Sequence, residues 1–235
     1  MPFFSWFTKL TKGEPQGAAP VESTKKPAWV IDESKYLGMS QVRRLRRYCE
    51  ALRDSVAVDP TRGFLRLRDW FMVELGLQCG LRVSEMAALC IGDLNLHNEE
   101  PSLIVRMGKG GKTRIVHFSL QFKQACLLFL EAKRNAGQPA ERENHVLTTA
   151  TGKPITKRTL QKAFKRCLKG AGISLHFAIH CLRHTYGTHL YKASGYNLRL
   201  VQEQLGHASI RTTQVYASIF NEDAMRAVER LYRQV

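Results

Sequence analysis

Three short motifs follow one another in residues 180–216, which read HCLRHTYGTHLYKASGYNLRLVQEQLGHASIRTTQVY. The first places His180 three positions before Arg183, and on a helix this spacing puts both side chains on one face. The second is Leu-Gly-His, in which the glycine ends a helix and His207 follows in a turn. The third ends in Tyr216, nine residues after His207. The segment therefore predicts helices that present basic side chains to one ligand.

Helical patterns extend outward from this segment over most of the chain. A helix that begins near Ser40 has apolar residues at helical spacing and arginines between them, which gives it a basic face. Further helices are predicted at about 64–78, 120–136, 157–170, 180–194, 198–205, 210–219 and 222–234. Two strand-like runs, 103–107 and 114–118, flank a turn rich in glycine and lysine, which is the pattern of a hairpin. We predict a mainly α fold with a small antiparallel β-sheet, of the α+β class.

The chain is strongly basic, and its charge is unevenly spread. Its 36 lysine and arginine residues outnumber its 20 aspartate and glutamate residues, for a net charge of +16. Residues 1–34 hold four basic and four acidic side chains, so the whole excess lies in residues 35–235. Such an excess predicts a polyanionic partner, of which nucleic acid is the main class.

The first 34 residues differ in character from the rest. Turn-forming residues without periodicity at 13–29 indicate a linker, so residues 1–34 are predicted to be a flexible tail before one domain, 35–235. The apolar opening before Lys9 is too short for a signal peptide or a membrane span, and we expect no membrane partner. The six cysteines form no Cys-x-x-Cys pair, which predicts reduced thiols in a cytoplasmic protein.

Two further motifs precede the segment 180–216. One is GLRVSE at residues 80–85, and the other is GKGGK at residues 108–112. With the three motifs above, they stand in the order typical of the tyrosine recombinase, or phage integrase, family, which the chain resembles over about residues 35–220. The resemblance implies a Xer-like catalytic domain in which the catalytic residues are Arg82, Lys109, His180, Arg183, His207 and Tyr216.

The chemistry of strand transfer explains why such residue types are needed. A phosphodiester under in-line attack gains negative charge on its non-bridging oxygens, which the guanidinium forks of Arg82 and Arg183 can bind. Attack by Tyr216 forms a phosphotyrosyl bond that conserves the energy of the broken bond, so neither a cofactor nor a metal is predicted. The departing 5′ oxygen needs a proton, and we expect Lys109 rather than Lys112 to supply it. The resemblance also makes His180 a candidate for handling the proton of the tyrosine.

Two other interpretations of these residues are weaker. Gly-Lys-Thr at 111–113 is a fragment of a phosphate-binding loop, but that motif needs a glycine where Arg106 stands. His180 and His184 have the spacing of a zinc helix, but Cys181 stands where the metalloprotease motif has glutamate. We expect His184 to pack or to form hydrogen bonds rather than to react.

The resemblance implies a site-specific DNA recombinase that cleaves and rejoins strands through a 3′-phosphotyrosyl intermediate, in integration, excision or inversion. The alternatives are a type IB topoisomerase and a non-catalytic DNA-binding regulator. The expected partners are double-stranded DNA, further copies of the chain in a tetramer of two dimers on DNA, and an accessory DNA-bending or directionality protein. On DNA, the protein is expected to be associated with the nucleoid.

Segments at the two ends of the chain are relevant to how it would assemble on DNA. A helix at about 221–235, with Asn221 as its cap, is expected to dock onto a neighbouring subunit, as the resemblance implies. Members of the family usually have a core-binding domain before the catalytic domain, and about 35 residues precede the motif-bearing body here. The sequence leaves three alternatives: a minimal recombinase, a clamp around DNA that another chain supplies, or a decayed or repurposed copy that binds DNA without recombining it.

Overall fold

The computed structural model describes residues 34–55, 60–97, 99–106, 113–207, 211–214 and 216. Eight α-helices lie in this part of the chain, with a 3₁₀ turn at Ile91–Asp93 and three short strands after the third helix. The helices are α1 (Met39–Asp54), α2 (Pro60–Cys79), α3 (Val83–Ala88), α4 (Leu120–Asn135), α5 (Lys157–Gly170), α6 (His180–Ala193), α7 (Leu198–Leu205) and α8 (Arg211–Gln214). The strands are β1 (Leu94–Asn95), β2 (Ser102–Val105) and β3 (Arg114–His117). A mainly α fold with a small antiparallel sheet is therefore confirmed.

Polar side chains define where three of the helices begin. Ser119, Thr156 and Asn197 each accept a hydrogen bond from the backbone N–H three residues later, at 3.2, 3.1 and 3.0 Å. Each bond satisfies an N–H group that the helix itself leaves without a partner. These caps explain why α4, α5 and α7 begin within a residue of the positions predicted from the sequence.

The three strands form one antiparallel sheet in the order β1-β2-β3. Leu103 pairs with Val116, and both side chains are fully buried against the helices. The two strands of the predicted hairpin are thus confirmed, while the turn at 107–112 lies outside the described residues. β1 and α3 were not predicted, because two and six residues are too few to display a period.

α2 is the centre of the core and packs against α1, α4, α5 and α6. Its Phe71 ring stacks on Phe129 of α4, with centroids 4.2 Å apart and planes 3° apart. At Gly76, a Cβ would lie 2.6 Å from Cδ1 of Leu182, so glycine permits α6 to approach α2 closely. This approach brings the helix with the His180 motif next to the helix that ends before Arg82.

Most of the cysteines lie in the core. All six are free, five of them are buried, and Cys90 is half-buried. In the described part of the chain, no helix has both the length and the apolar character needed to cross a membrane. Of the predicted tail at 1–34, residues 1–33 lie outside the described residues, and so does the predicted docking helix at 221–235.

Candidate active site

Arg82 follows the end of α2, where the chain turns at Gly80. Gly80 has a φ of +59°, in the left-handed region that favours glycine. A Cβ there would lie 2.3 Å from Cδ1 of Tyr186 and 2.9 Å from Cδ2 of Leu205, so the packing of α6 and α7 also requires glycine. The turn makes Arg82 the N-cap residue of α3, beside the helices that carry the C-terminal motifs.

Glu85 is the acceptor around which the arginines of the site are arranged. It accepts hydrogen bonds from the backbone N–H of Arg82 at 2.8 Å and from Nη1 of the same residue at 2.7 Å. Arg114 donates to both carboxylate oxygens, at 2.9 and 2.8 Å, and Nη1 of Arg183 lies 3.9 Å from Oε2. Burial opposes ionisation of Glu85, but the bonds and charge of Arg114, together with Arg82, outweigh it and lower the pKa to about 2.

Arg183 links the end of α2 to the end of α7. Its Nη1 donates to the carbonyl oxygen of Gly80 at 2.8 Å, and its Nη2 donates to that of Leu205 at 2.7 Å. Burial, with the nearby charge of Arg82, lowers the pKa of Arg183 to about 10, so the side chain stays charged at neutral pH. The two bonds use two of the five N–H donors of a guanidinium and fix the plane of the fork.

His207 stands where the sequence predicted, directly after the glycine that ends α7. Gly206 has a φ of +65°, and the backbone N–H of His207 donates to the carbonyl oxygen of Gln202 at 3.1 Å. Nδ1 of the ring lies 3.0 Å from Oγ1 of Thr213. Burial, reinforced by the positive charges of Arg183 and its neighbours, lowers the pKa of His207 to about 3, so the ring is neutral at physiological pH.

Tyr216 is packed inside this group of side chains, with 1% of its surface exposed. Its ring is nearly parallel to that of His207, with centroids 6.4 Å apart. The ring crosses α6 at Gly187, where a Cβ would lie 2.5 Å from Cζ and 2.7 Å from the hydroxyl oxygen. Burial raises the pKa of Tyr216 to about 12, although the charges of Arg183 and Arg82 oppose the rise. The phenol is therefore protonated in this arrangement.

Two histidines on α6 face the same region. The ring of His180 makes an edge contact with that of His184, at a centroid distance of 4.6 Å, and the ring of His184 lies 6.5 Å from that of Tyr216. Burial is the main cause that lowers the pKa of both histidines, that of His184 to about 4. Among the described residues, Nδ1 of His184 is buried without a hydrogen-bond partner. Both pKa shifts favour the neutral form of the rings.

The structure brings together five of the six predicted catalytic residues; Lys109 lies outside the described residues. Arg114 was missed by the sequence interpretation. Arg114 lies on the same face of β3 as buried Val116, where a charged residue needs a partner, but a strand of four residues is too short to show in the sequence which face is inward. No group of three or more histidine, cysteine or acidic residues placed to hold a metal ion occurs within the described ranges.

Comparisons with known proteins match this chain to members of one family. The model of the phage integrase family matches residues 35–223. Tyrosine recombinase XerC of Actinobacillus pleuropneumoniae serotype 7 is 33% identical over 214 residues, which is 91% of this chain and 64% of that protein. Tyrosine recombinase XerD of Listeria monocytogenes serotype 4b is 37% identical over 156 residues, 66% of this chain and 51% of that protein. The chain thus spans between half and two thirds of these relatives.

Solved structures show the same likeness. The crystal structure of XerA recombinase matches with a TM-score of 0.65 and 27% identity, over 84% of this chain and 65% of that one. XerH site-specific recombinase, bound to its difH substrate in a pre-cleavage complex, matches with a TM-score of 0.64 and 25% identity, over 81% of this chain and 52% of that one. The chain belongs to the phage integrase family and has the fold of a Xer-like tyrosine recombinase catalytic domain.

Proposed function

We propose that this chain is a site-specific DNA recombinase that cleaves and rejoins DNA through a 3′-phosphotyrosyl bond at Tyr216. The observation that carries the proposal is a group of fixed cations beside one buried tyrosine. Arg82 and Arg183 converge on Glu85, and the charges of both arginines act on the hydroxyl of Tyr216. Such an arrangement suits the charge that develops on a phosphodiester under attack.

The arginines would bind the non-bridging oxygens of the scissile phosphate. Arg82 is the more accessible of the two, with 23% of its side chain exposed, while Arg183 is 2% exposed and held by two carbonyl groups. Because both guanidinium groups are held in advance, little reorganisation is needed when the phosphorus becomes five-coordinate. His207 would donate a further hydrogen bond to the same group.

Cleavage needs two proton transfers, one from the attacking phenol and one to the departing 5′ oxygen. The Tyr216 oxygen bonds to phosphorus, the bond from phosphorus to the 5′ oxygen breaks, and the phenol proton passes to a neutral imidazole, with His180 as our candidate. Lys109 would protonate the departing 5′ oxygen. Attack by that 5′ hydroxyl, or by its counterpart from a second duplex, reverses these steps and needs no external energy.

The nucleophile must also become accessible to DNA. Since Tyr216 is 1% exposed, with its ring against Gly187 and its pKa raised by burial, the phenol cannot meet a phosphodiester without moving. We propose that DNA binding draws Tyr216 away from Gly187 and towards the arginines. The same movement would lower the pKa of the phenol by replacing apolar neighbours with cations.

A basic face on α5 provides a surface for the DNA backbone. Arg158, Lys162, Arg166 and Lys169 are exposed and fall on one side of the helix, at intervals of three or four residues. Cations in water bind phosphates by releasing counterions, which gives affinity without sequence preference. Double-stranded DNA is therefore the proposed partner, and the protein would lie on the nucleoid when bound.

For assembly on DNA, we propose the tetramer that the sequence analysis predicted. A tetramer of two dimers would hold two DNA sites, and the segment 221–235 of each subunit would dock onto its neighbour. An accessory DNA-bending or directionality protein would select the direction of exchange.

Covalent capture on nicked duplexes tests the reaction. A pool of duplexes with randomised arms and a nick two bases from the centre is incubated with the protein, and adducts that survive denaturation are sequenced. The wild type should yield adducts on a defined motif, whereas Tyr216→Phe should bind the same motif and yield none. Adducts in the Tyr216→Phe protein would overturn the assignment. On supercoiled plasmids with one captured site, relaxation without strand exchange would favour topoisomerase activity instead, and binding without adducts would favour a regulator.

A further inference from the structure

Arg114 is the first residue of β3 and joins three separate parts of the site. We infer that Arg114 is a positioning residue that holds the base of the lysine-bearing hairpin against the arginine clamp and against the turn before His207. This inference rests on the proposed recombinase function. It adds to the six catalytic residues a seventh side chain that acts through the others.

The contacts of Arg114 reach two segments distant in sequence. Nη1 and Nη2 bind both oxygens of Glu85 at 2.9 and 2.8 Å, and Nε donates to the carbonyl oxygen of Gln204 at 3.1 Å. Glu85 also binds the backbone and side chain of Arg82. One guanidinium therefore ties β3 to the Arg82 motif and to the end of α7, in a bidentate geometry that lysine cannot reproduce.

The aliphatic part of Arg114 packs beneath the Leu-Gly-His turn. A Cβ on Gly206 would lie 2.5 Å from Cδ and 2.9 Å from Nε of Arg114. Gly206 is thus required on two counts, its φ of +65° and the closeness of this side chain. The position of Arg114 is therefore coupled to the turn that presents His207.

The register of the sheet relates Arg114 to the hairpin. Arg114 pairs with Val105, and these two residues close the described ladder on the side of the turn at 107–112. On the opposite strand, Arg106 follows Val105 and pairs with buried Asp93. An arginine–carboxylate pair thus stands on each side of the hairpin base, and only the pair at Arg114 also contacts the catalytic motifs.

Arg114 itself is poorly placed to bind DNA. Its side chain is 11% exposed, and Nε, Nη1 and Nη2 all donate to protein acceptors. An arginine that bound the phosphate would have to release Glu85, a buried carboxylate, which is costly. Its role in the reaction is therefore to fix the base of the lysine-bearing hairpin relative to Arg82 and His207.

The test compares Arg114→Lys with Arg46→Lys on two captured substrates. Arg46 is a matched control, because it also binds both oxygens of a buried glutamate, Glu74, at 2.8 and 2.5 Å, but between α1 and α2. Single-turnover cleavage is measured on an ordinary nicked duplex and on one with a 5′-bridging phosphorothiolate, whose sulfur leaves without a proton. Arg114→Gln provides a second variant, and thermal melting of all three reports folding.

We expect Arg114→Lys to slow cleavage of the ordinary duplex by about 100-fold, the scale of an ångström-sized misplacement. The phosphorothiolate should recover most of that loss, because a displaced Lys109 matters less when the leaving group needs no proton. Arg46→Lys should melt earlier, as Arg114→Lys does, and cleave both substrates at close to the wild-type rate.

The outcomes separate this inference from the proposed function. If the wild type forms no adduct on either duplex, the recombinase function itself fails. If the wild type cleaves and Arg114→Lys slows both duplexes equally, or slows neither, Arg114 does not position the hairpin. If neither Arg114→Lys nor Arg114→Gln is folded at a temperature where Arg46→Lys is, the role is purely structural and the inference is overturned.

Discussion

Two groups of cations in this basic chain differ in their exposure to solvent. Those around Glu85 are buried or half-buried, whereas those on the outer face of α5 are exposed. Arg183 and Arg114 are 2% and 11% exposed, and their guanidinium groups are held by carboxylate or carbonyl oxygens. On α5, Arg166 is 59% exposed although it pairs with Asp69, and Lys162 and Lys169 are also exposed. Held cations can stabilise one geometry of a phosphate, whereas cations in water bind any phosphate nearby. The net charge of +16 therefore predicts a polyanionic partner, but it does not show which cations take part in the reaction.

The largest difference between held and exposed cations should lie in the stability that their ion pairs contribute. Glu85→Ala leaves the buried guanidinium groups of Arg114 and Arg183 without their carboxylate, and we expect the free energy of unfolding to fall by roughly 3–5 kcal/mol. Glu203→Ala removes the partner of exposed Arg199 and should cost less than about 1 kcal/mol. Urea unfolding of both variants measures the two decreases. Equal decreases would mean that burial does not distinguish the two kinds of ion pair.

The next effect concerns the rate of cleavage. Arg183→Lys keeps the charge but cannot bridge the carbonyl groups of Gly80 and Leu205, so single-turnover cleavage should fall by about 10²- to 10³-fold. Arg199→Lys, a matched change at the exposed pair on α7, should stay within about threefold of the wild type. The rates are compared at saturating protein, which removes differences in affinity. A full cleavage rate in the Arg183→Lys protein would show that cleavage does not need a guanidinium group fixed by two carbonyl oxygens.

The sequence predicted most of the described helices, the hairpin strands and the meeting of distant motifs, but it did not predict α3 or how the motifs are joined. The apolar periods of α5 and α7 can be recognised in the sequence, and so can their caps, Thr156 and Asn197, and the glycine that ends α7. Arg114 escaped notice because β3 has only four residues, too few for its inward face to be recognised. The burial of Tyr216 against Gly187 also escaped notice, since it depends on how α6 meets the following segment in space.

On the exposed face, the expected effect is smaller and depends on salt. Lys162→Gln combined with Lys169→Gln removes two exposed cations from α5 and should weaken DNA binding most at low ionic strength. The slope of log K against log salt should become shallower by about one for each phosphate that the protein no longer neutralises. Fluorescence anisotropy on the captured motif and on an unrelated duplex measures both slopes. A weakening confined to the captured motif would mean that these lysines read bases rather than phosphates.

The smallest effect is the dependence of stability on pH, and it arises in the buried region. The folded-state pKa of His207 is about 3 and that of His184 about 4, both below the value near 6.5 of an unfolded chain. Between these limits the unfolded chain binds more protons, so stability is fully present above pH 6.5 and declines as the pH falls. The positive groups that oppose protonation of His207 are Arg183, Arg82 and Arg114.

His207→Gln should therefore flatten the decline in unfolding free energy between pH 6.5 and 5. In this window the histidines dominate, because Glu85, with a pKa of about 2, loses its contribution only at lower pH, from about 4.5 downwards. Urea unfolding at half-unit steps of pH measures the slope. The double variant on α5 retains every histidine and should keep the wild-type slope. An unchanged slope in His207→Gln would mean that the ring gains protons as easily in the folded protein as in the unfolded chain. That result would contradict the buried, cation-lined environment from which its catalytic role was argued.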